Sequence, residues 1–143
     1  MNGYDVSFLN VSIEDYVAVV QLANPPVNAL SRQLQDELAM TFDLLSEDER
    51  VRAVVLTGQG KLFCAGADIK ARANPGALKD GPRGHLRSAR ECFHSIVECR
   101  KPVVAAINGP ALGAGLAIVA SCDILLASEQ ASLGMPEIDV GLM

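Results

Sequence analysis

The sequence predicts an α/β fold with a mostly parallel sheet, and three observations carry that expectation. Short apolar runs rich in Val, Ile and Ala alternate with stretches of helical period. Turns containing Gly or Pro punctuate most junctions between them. The composition is globular: of 143 residues, 50% are hydrophobic and 20% charged, enough for one domain with its own core.

The elements follow in order. Val17–Leu22 reads as a buried strand, stopped by Asn24-Pro25-Pro26. Ser31 reads as the N-cap of a helix to about Ser46, because Leu34, Leu38, Phe42 and Leu45 recur every three or four residues. Val51–Thr57 is a second strand, broken by Gly58 and Gly60. Residues 71–84, rich in Ala, Gly, Pro and charge, read as a mobile connection. A second helix is expected over His85–Cys99, with Leu86, Ala89, Phe93, Ile96 and Val97 on its apolar side. Val103–Ile107 is a third strand. Asn108-Gly109-Pro110 turns the chain into a helix of small residues from about Leu112 to Ser121, and Ile124–Ala127 is a short strand. Strands alternating with helices argue for layered α/β packing. Residues 1–143 read as one domain. The ending Gly141-Leu142-Met143, with no closing element before it, reads as a piece of a longer protein.

Charge and cysteine usage narrow the function classes. A net charge of −5 without clustered Lys or Arg lacks the electrostatic footprint of a nucleic-acid binder. Cys64, Cys92, Cys99 and Cys122 form no Cys-x-x-Cys pair, and neither histidine flanks them at zinc spacing, so they read as free thiols packed as small hydrophobes. No metal is expected. The N-terminus lacks a basic region followed by an apolar core. The apolar stretch Val103–Ala127 is interrupted by Asn108, Gly109, Pro110 and Asp123, too soon to span a bilayer. A soluble, cytoplasmic protein with no membrane partner is expected.

Two small-residue turns each follow a strong strand: Phe63-Cys-Ala-Gly-Ala-Asp-Ile-Lys70 and Asn108-Gly-Pro-Ala-Leu-Gly-Ala-Gly115. Small side chains let a ligand approach the backbone closely. A helix beginning after such a turn leaves its first N–H groups unpaired and aimed outward, which suits an anion or a developing oxyanion. Two donors converging on one carbonyl oxygen make an oxyanion hole, each worth about 100- to 1,000-fold in rate. From composition alone, both are at least as well read as tight structural turns. Neither continues as a phosphate loop or a dinucleotide fingerprint.

Several ordered motifs carry a resemblance. Val54-Val-Leu-Thr-Gly58, Phe63-Cys64 and Ala65-Gly-Ala-Asp-Ile69 are similar to those of the enoyl-CoA hydratase/isomerase (crotonase) superfamily. So are Lys101-Pro-Val-Val-Ala-Ala-Ile-Asn-Gly109, Cys122-Asp-Ile124 and Pro136-Glu-Ile-Asp-Val-Gly-Leu142, and Pro26-Val-Asn-Ala-Leu30 fits that family's early substrate loop. The resemblance covers nearly the whole chain. It implies a crotonase-like ββα spiral core of the ClpP/crotonase type, lacking the family's C-terminal helical part. It also implies an acyl-CoA substrate, with no cofactor besides the coenzyme A thioester, and assembly as a homotrimer or a dimer of trimers when full length. By the same resemblance the backbone N–H groups of Ala67 and Ala114 are the two oxyanion donors. Ala65, Ala67, Asp68 and Ile69 line the CoA arm, Val27, Ala29 and Leu112 border the pantetheine and acyl path, and Lys70, Gly113, Ala114 and Pro136 complete the set that binds the substrate. Val27 and Ala29 read almost equally as ordinary core.

A thioester enolate needs a carboxylate or similar group to move its proton. Glu137 matches a family acid–base position and lies in an apolar stretch from Ala131 to Leu142. Its alternative is a glutamate favoured by a helix start. Hydratases of the family carry a second glutamate on the helix after the second turn, and here that position is Ala117. Water addition uses two carboxylates, whereas shifting a double bond needs one base that removes a proton and returns it two carbons away. Double-bond isomerisation is therefore favoured over a hydratase (lyase) reaction, with a fatty or aromatic acyl-CoA as substrate. A non-catalytic acyl-CoA-binding protein is the reading from a different class.

The remaining polar residues read as structural. Asp68 is expected to cap the helix it opens and Asp123 to make a structural hydrogen bond. His85 and His94, nine apart on one helix, fall on opposite faces. Cys64 lacks an evident His partner, and Ser121 lacks a nucleophile elbow. The mixed charges from Lys79 to Glu91 read as a solvated face.

Overall fold

The computed structural model describes residues 4–69, 81–139 and 141. In chain order the elements are β1 (Leu9–Glu14), β2 (Val17–Leu22), α1 (Arg32–Glu47), β3 (Ala53–Gly58), α2 (Gly81–Val97), β4 (Val103–Ile107), β5 (Ala111–Leu112), α3 (Ala114–Ala120), β6 (Ile124–Ala127), β7 (Leu133–Gly134) and a 3-10 turn, Pro136–Ile138. Five strands form one sheet in the order β1-β2-β3-β4-β6. Strands β2, β3, β4 and β6 run parallel, and β1 pairs antiparallel at the β2 edge.

Alternation along β2, β3 and β4 buries one face of this sheet. Ala18, Val20, Leu22, Val54, Leu56, Val103, Ala105 and Ile107 share a single core with Leu34, Leu38, Phe42 and Leu45 of α1 and with Cys92 and Ile96 of α2. Helix α1 starts where the sequence predicts: the Ser31 hydroxyl accepts from the Leu34 N–H at 3.2 Å, satisfying one of the orphan donors of the first turn. Asp123 makes the structural bond expected of it. Its Oδ2 accepts from the Val103 N–H at 2.7 Å while its own N–H donates to the Val103 carbonyl at 2.9 Å, locking α3's exit to β4.

The structure differs from the sequence reading at several places. Strand β1 was not anticipated, although Leu9, Val11 and Ile13 alternate with Asn10, Ser12 and Glu14. Its turn is Asp15-Tyr16, both at positive φ (46° and 66°), a two-residue hairpin without the glycine that usually marks one. Strand β3 begins at Ala53, not Val51, because the Val51 N–H closes the turn onto Asp48 O at 3.1 Å and Arg52 N–H bonds Tyr16 O at 2.7 Å. Helix α2 starts at Gly81, four residues early, and ends at Val97. Pro82 falls in its first turn, where a missing N–H costs nothing. Helix α3 starts at Ala114, not Leu112, because Ala111 and Leu112 pair in parallel with Leu133 and Gly134. Lys70 and the rest of the connection up to residue 80 lie outside the described residues, as does the helix that Asp68 is read as opening.

Candidate active site

The two small-residue turns lie side by side. Phe63 and Cys64 N–H groups both point to Pro110 O, at 3.0 and 3.2 Å, and Leu112 N–H returns a bond to Cys64 O at 3.0 Å. Such close approach requires glycine. A Cβ on Gly66, at φ +103°, would stand 2.9 Å from Leu112 O and 3.8 Å from Ala114 N. Gly66 and the head of α3 are thus in close contact.

Backbone alternation orients the first turn. Leu30 N–H donates to Gly66 O at 2.8 Å, and Asp68 N–H donates to Leu30 O at 3.3 Å. Gly66 and Asp68 therefore face Leu30, and the Ala67 N–H between them faces the other way. At the second turn Ala114 is the first residue of α3, and the helix's intrachain bonding begins with Ala117 N–H to Gly113 O at 3.1 Å. Among the described residues, neither the Ala67 nor the Ala114 N–H has an acceptor.

The third component arrives through the second, two-stranded sheet. Ala111 N–H bonds Ser132 O and Gly113 N–H bonds Gly134 O, each at 2.8 Å, so β7 runs beside β5 and delivers the 3-10 turn onto α3. Glu137 consequently packs against Gly113, whose φ of +53° already favours glycine: a Cβ there would coincide with the Glu137 carboxyl. The carboxylate oxygen Oε2 is buried and has no partner among the described residues. A buried carboxyl oxygen normally carries a hydrogen bond, and one that does not is costly unless another group completes it. Ala117 stands one turn along α3 from Gly113, on the same helix face, and is half-buried.

The other residues singled out from the sequence group around this centre to different degrees. Val27 O accepts from Ala65 N–H at 3.0 Å, and Ala29 O accepts from the Asn24 side-chain amide at 2.7 Å, so the early loop borders the first turn. Ala65, Ala67, Asp68, Leu112 and Ala114 are half-buried. Ile69 and Pro136 are exposed at the rim. Lys70 is not among the described residues.

Asn28 and Asn108 were overlooked. Both sit where the sequence shows only turn residues, and both clamp the loop leading into the first turn. The Asn108 Oδ1 accepts from Gly58 N–H at 3.0 Å, and its Nδ2 donates to Gly60 O at 3.0 Å. The signal was their polarity beside apolar runs, since a buried amide must be fully bonded. Cys64 is buried beneath the site, and burial pushes its thiol up to about 11, which leaves it protonated and unreactive near neutrality. Cys92 is likewise pushed to about 12. Among the described residues, no group of three or more His, Cys, Asp or Glu could hold a metal ion, and no helix is long and apolar enough to cross a membrane.

Residues 12–143 match the sequence profile of the Enoyl-CoA hydratase/isomerase family. The chain belongs to that family. A probable enoyl-CoA hydratase of Bacillus subtilis is 37% identical over 137 residues, which is 94% of this chain and 52% of that protein. A solved structure of Pseudomonas aeruginosa DspI superposes with a TM-score of 0.91 at 35% identity, covering 99% of this chain and 54% of that one. The (7aS)-7a-methyl-1,5-dioxo-2,3,5,6,7,7a-hexahydro-1H-indene-carboxyl-CoA hydrolase of Mycobacterium tuberculosis is 35% identical over 133 residues, 91% of this chain and 52% of that protein. The fold is the crotonase type expected from the motifs, and the chain spans about half the length of these relatives. A hydratase name and a carboxyl-CoA hydrolase name both occur among these relatives, so the reaction must be argued from the site.

Proposed function

We propose that the complete protein isomerises an enoyl-CoA double bond through a thioester enolate held by the Ala67 and Ala114 N–H groups. The observation that carries this reading is the Glu137 carboxyl, buried with one unpartnered oxygen against the first turn of α3. A carboxylate held there stands beside any carbonyl oxygen that accepts from Ala114.

The steps follow from this placement. The thioester oxygen of a 3-enoyl-CoA accepts from both N–H groups, which point away from their own elements. Glu137 takes a proton from C2, and the electron pair moves into the carbonyl, placing negative charge on the oxygen. These preorganised donors stabilise that charge more than they stabilise the neutral carbonyl. Glu137 then returns its proton at C4, leaving the double bond between C2 and C3. One carboxyl serves both transfers. Hydration needs a second acid to share the water, and Ala117, on the face of α3 that Gly113 turns toward Glu137, has no group to offer.

The test incubates the complete protein with 3-enoyl-CoA and 2-enoyl-CoA separately in deuterated water, followed by mass spectrometry. The expected result is conversion of the 3-enoyl to the 2-enoyl isomer without added water. Gain of one water by the 2-enoyl-CoA identifies a hydratase with an acid supplied from outside these residues. Glu137→Gln is expected to lower kcat by about 100- to 10,000-fold. Unchanged activity in that variant would point to another base, whereas no turnover of either substrate by the parent would point to another substrate or to acyl-CoA binding alone.

A further inference from the structure

We infer that Asn28 is a positioning residue that sets where the Ala67 N–H points, an inference resting on the oxyanion-hole reading above. Its side chain is 3% exposed, in a loop that touches neither Glu137 nor α3 through any bond found among the described residues. Yet it faces three carbonyls of the segment entering the first turn. Nδ2 lies 2.9 Å from Gln59 O, 3.1 Å from Leu62 O and 3.3 Å from Phe63 O. Its Oδ1 accepts from Asn24 N–H at 3.1 Å, and its own N–H donates to Asn24 O at 2.7 Å. A single amide thus joins the early loop to the last residues before Cys64.

On either side of that amide the backbone carries the coupling onward. Val27 O takes the Ala65 N–H and Leu30 N–H takes the Gly66 O, so Asn28 lies between the two bonds that register the early loop on Ala65–Ala67. Without the amide, Phe63 O and Leu62 O lose a donor, and the loop between Val27 and Leu30 loses its side-chain tie to them. A displacement of even 1 Å in a group that positions reacting atoms costs about 100-fold in rate. Asn28 has φ +52°, a left-handed conformation that asparagine accepts better than most residues. Both its backbone and its side chain are therefore used.

Two variants separate those uses. Asn28→Gly keeps the backbone conformation and removes the amide. Asn28→Asp keeps the shape and the Oδ1 acceptor but turns the donor into an oxygen facing three carbonyls. The readout is the infrared frequency of a 13C-labelled thioester carbonyl in butyryl-CoA bound to the complete protein, together with kcat, KM and the butyryl-CoA Kd. Because only ligand-bound protein contributes to that band, a partly unfolded sample still reports. In the parent, the band should shift down on binding. Both variants should lose at least about half of that shift and about 10- to 100-fold in kcat, with Kd changed less than about threefold. If the parent shows the shift and both variants retain it, Asn28 is structural only and the inference fails alone. If the parent shows no shift, the oxyanion-hole reading fails and takes this inference with it.

Discussion

Strands β3 and β6 belong to one sheet and are comparably apolar, Ala-Val-Val-Leu-Thr-Gly against Ile-Leu-Leu-Ala, yet their surroundings differ completely. Val54 and Leu56 are fully buried, whereas Ile124, Leu125 and Leu126 are 51%, 48% and 61% exposed. Helices α1 and α2 cover the first. The second stays about half exposed, and Leu133 and Ile138 beyond it are exposed as well. Hydropathy makes a strand, but only a neighbouring element makes a core. The same open region nonetheless holds a buried carboxyl oxygen, Glu137 Oε2, because a two-residue pairing brings Glu137 onto Gly113.

The largest effect expected from this contrast lies on the covered side. Phe42→Ala removes a fully buried ring of α1 from the core and should cost about 3–5 kcal/mol in urea denaturation, lost apolar transfer plus a cavity that cannot collapse. A cost below about 1 kcal/mol would mean that α1 is not docked as described.

A smaller, pH-dependent effect comes from two buried core thiols, Cys64 and Cys92 of α2. Folding raises Cys64 to about 11 and Cys92 to about 12 from an ordinary 9.0. Burial opposes the thiolate, so the folded state holds its protons longer than the unfolded chain. That contribution is fully present below pH 9 and is lost as pH rises toward 12. The melting temperature should fall over that window, and a Cys64→Ala/Cys92→Ala double variant should fall less steeply; parallel profiles in the two proteins would contradict the burial.

The smallest effect belongs to the open side. Leu126→Ser in the 143-residue chain should change stability by no more than about 0.5 kcal/mol. A loss above about 1 kcal/mol would reveal a surface that covers β6 in solution.

Much of the fold was legible because its signals are local. The period of Leu34, Leu38, Phe42 and Leu45, the Ser31 cap and the β-branched run of β4 each depend on residues within a turn or two of one another. A structural role for Asp123 was legible too, but its partner, the Val103 N–H twenty residues back, was not. Strand β1 carried its alternation openly, but its hairpin turn lacked the usual residues. Strands β5 and β7 carried nothing to read: two residues have no period.

By itself, then, the sequence determined the order and type of the main elements, the family, and the residue types available for chemistry: two small-residue turns, one glutamate after Pro136, and alanine at position 117. Only the tertiary structure decided that these meet. Gly66 lets the first turn lie on Leu112, β7 carries Glu137 across to Gly113, and Asn28 ties a loop to backbone more than thirty residues onward. Each of those contacts joins segments distant in the chain through hydrogen bonds and steric fit. Such terms depend on where a neighbour lies, and no local pattern of side chains encodes that.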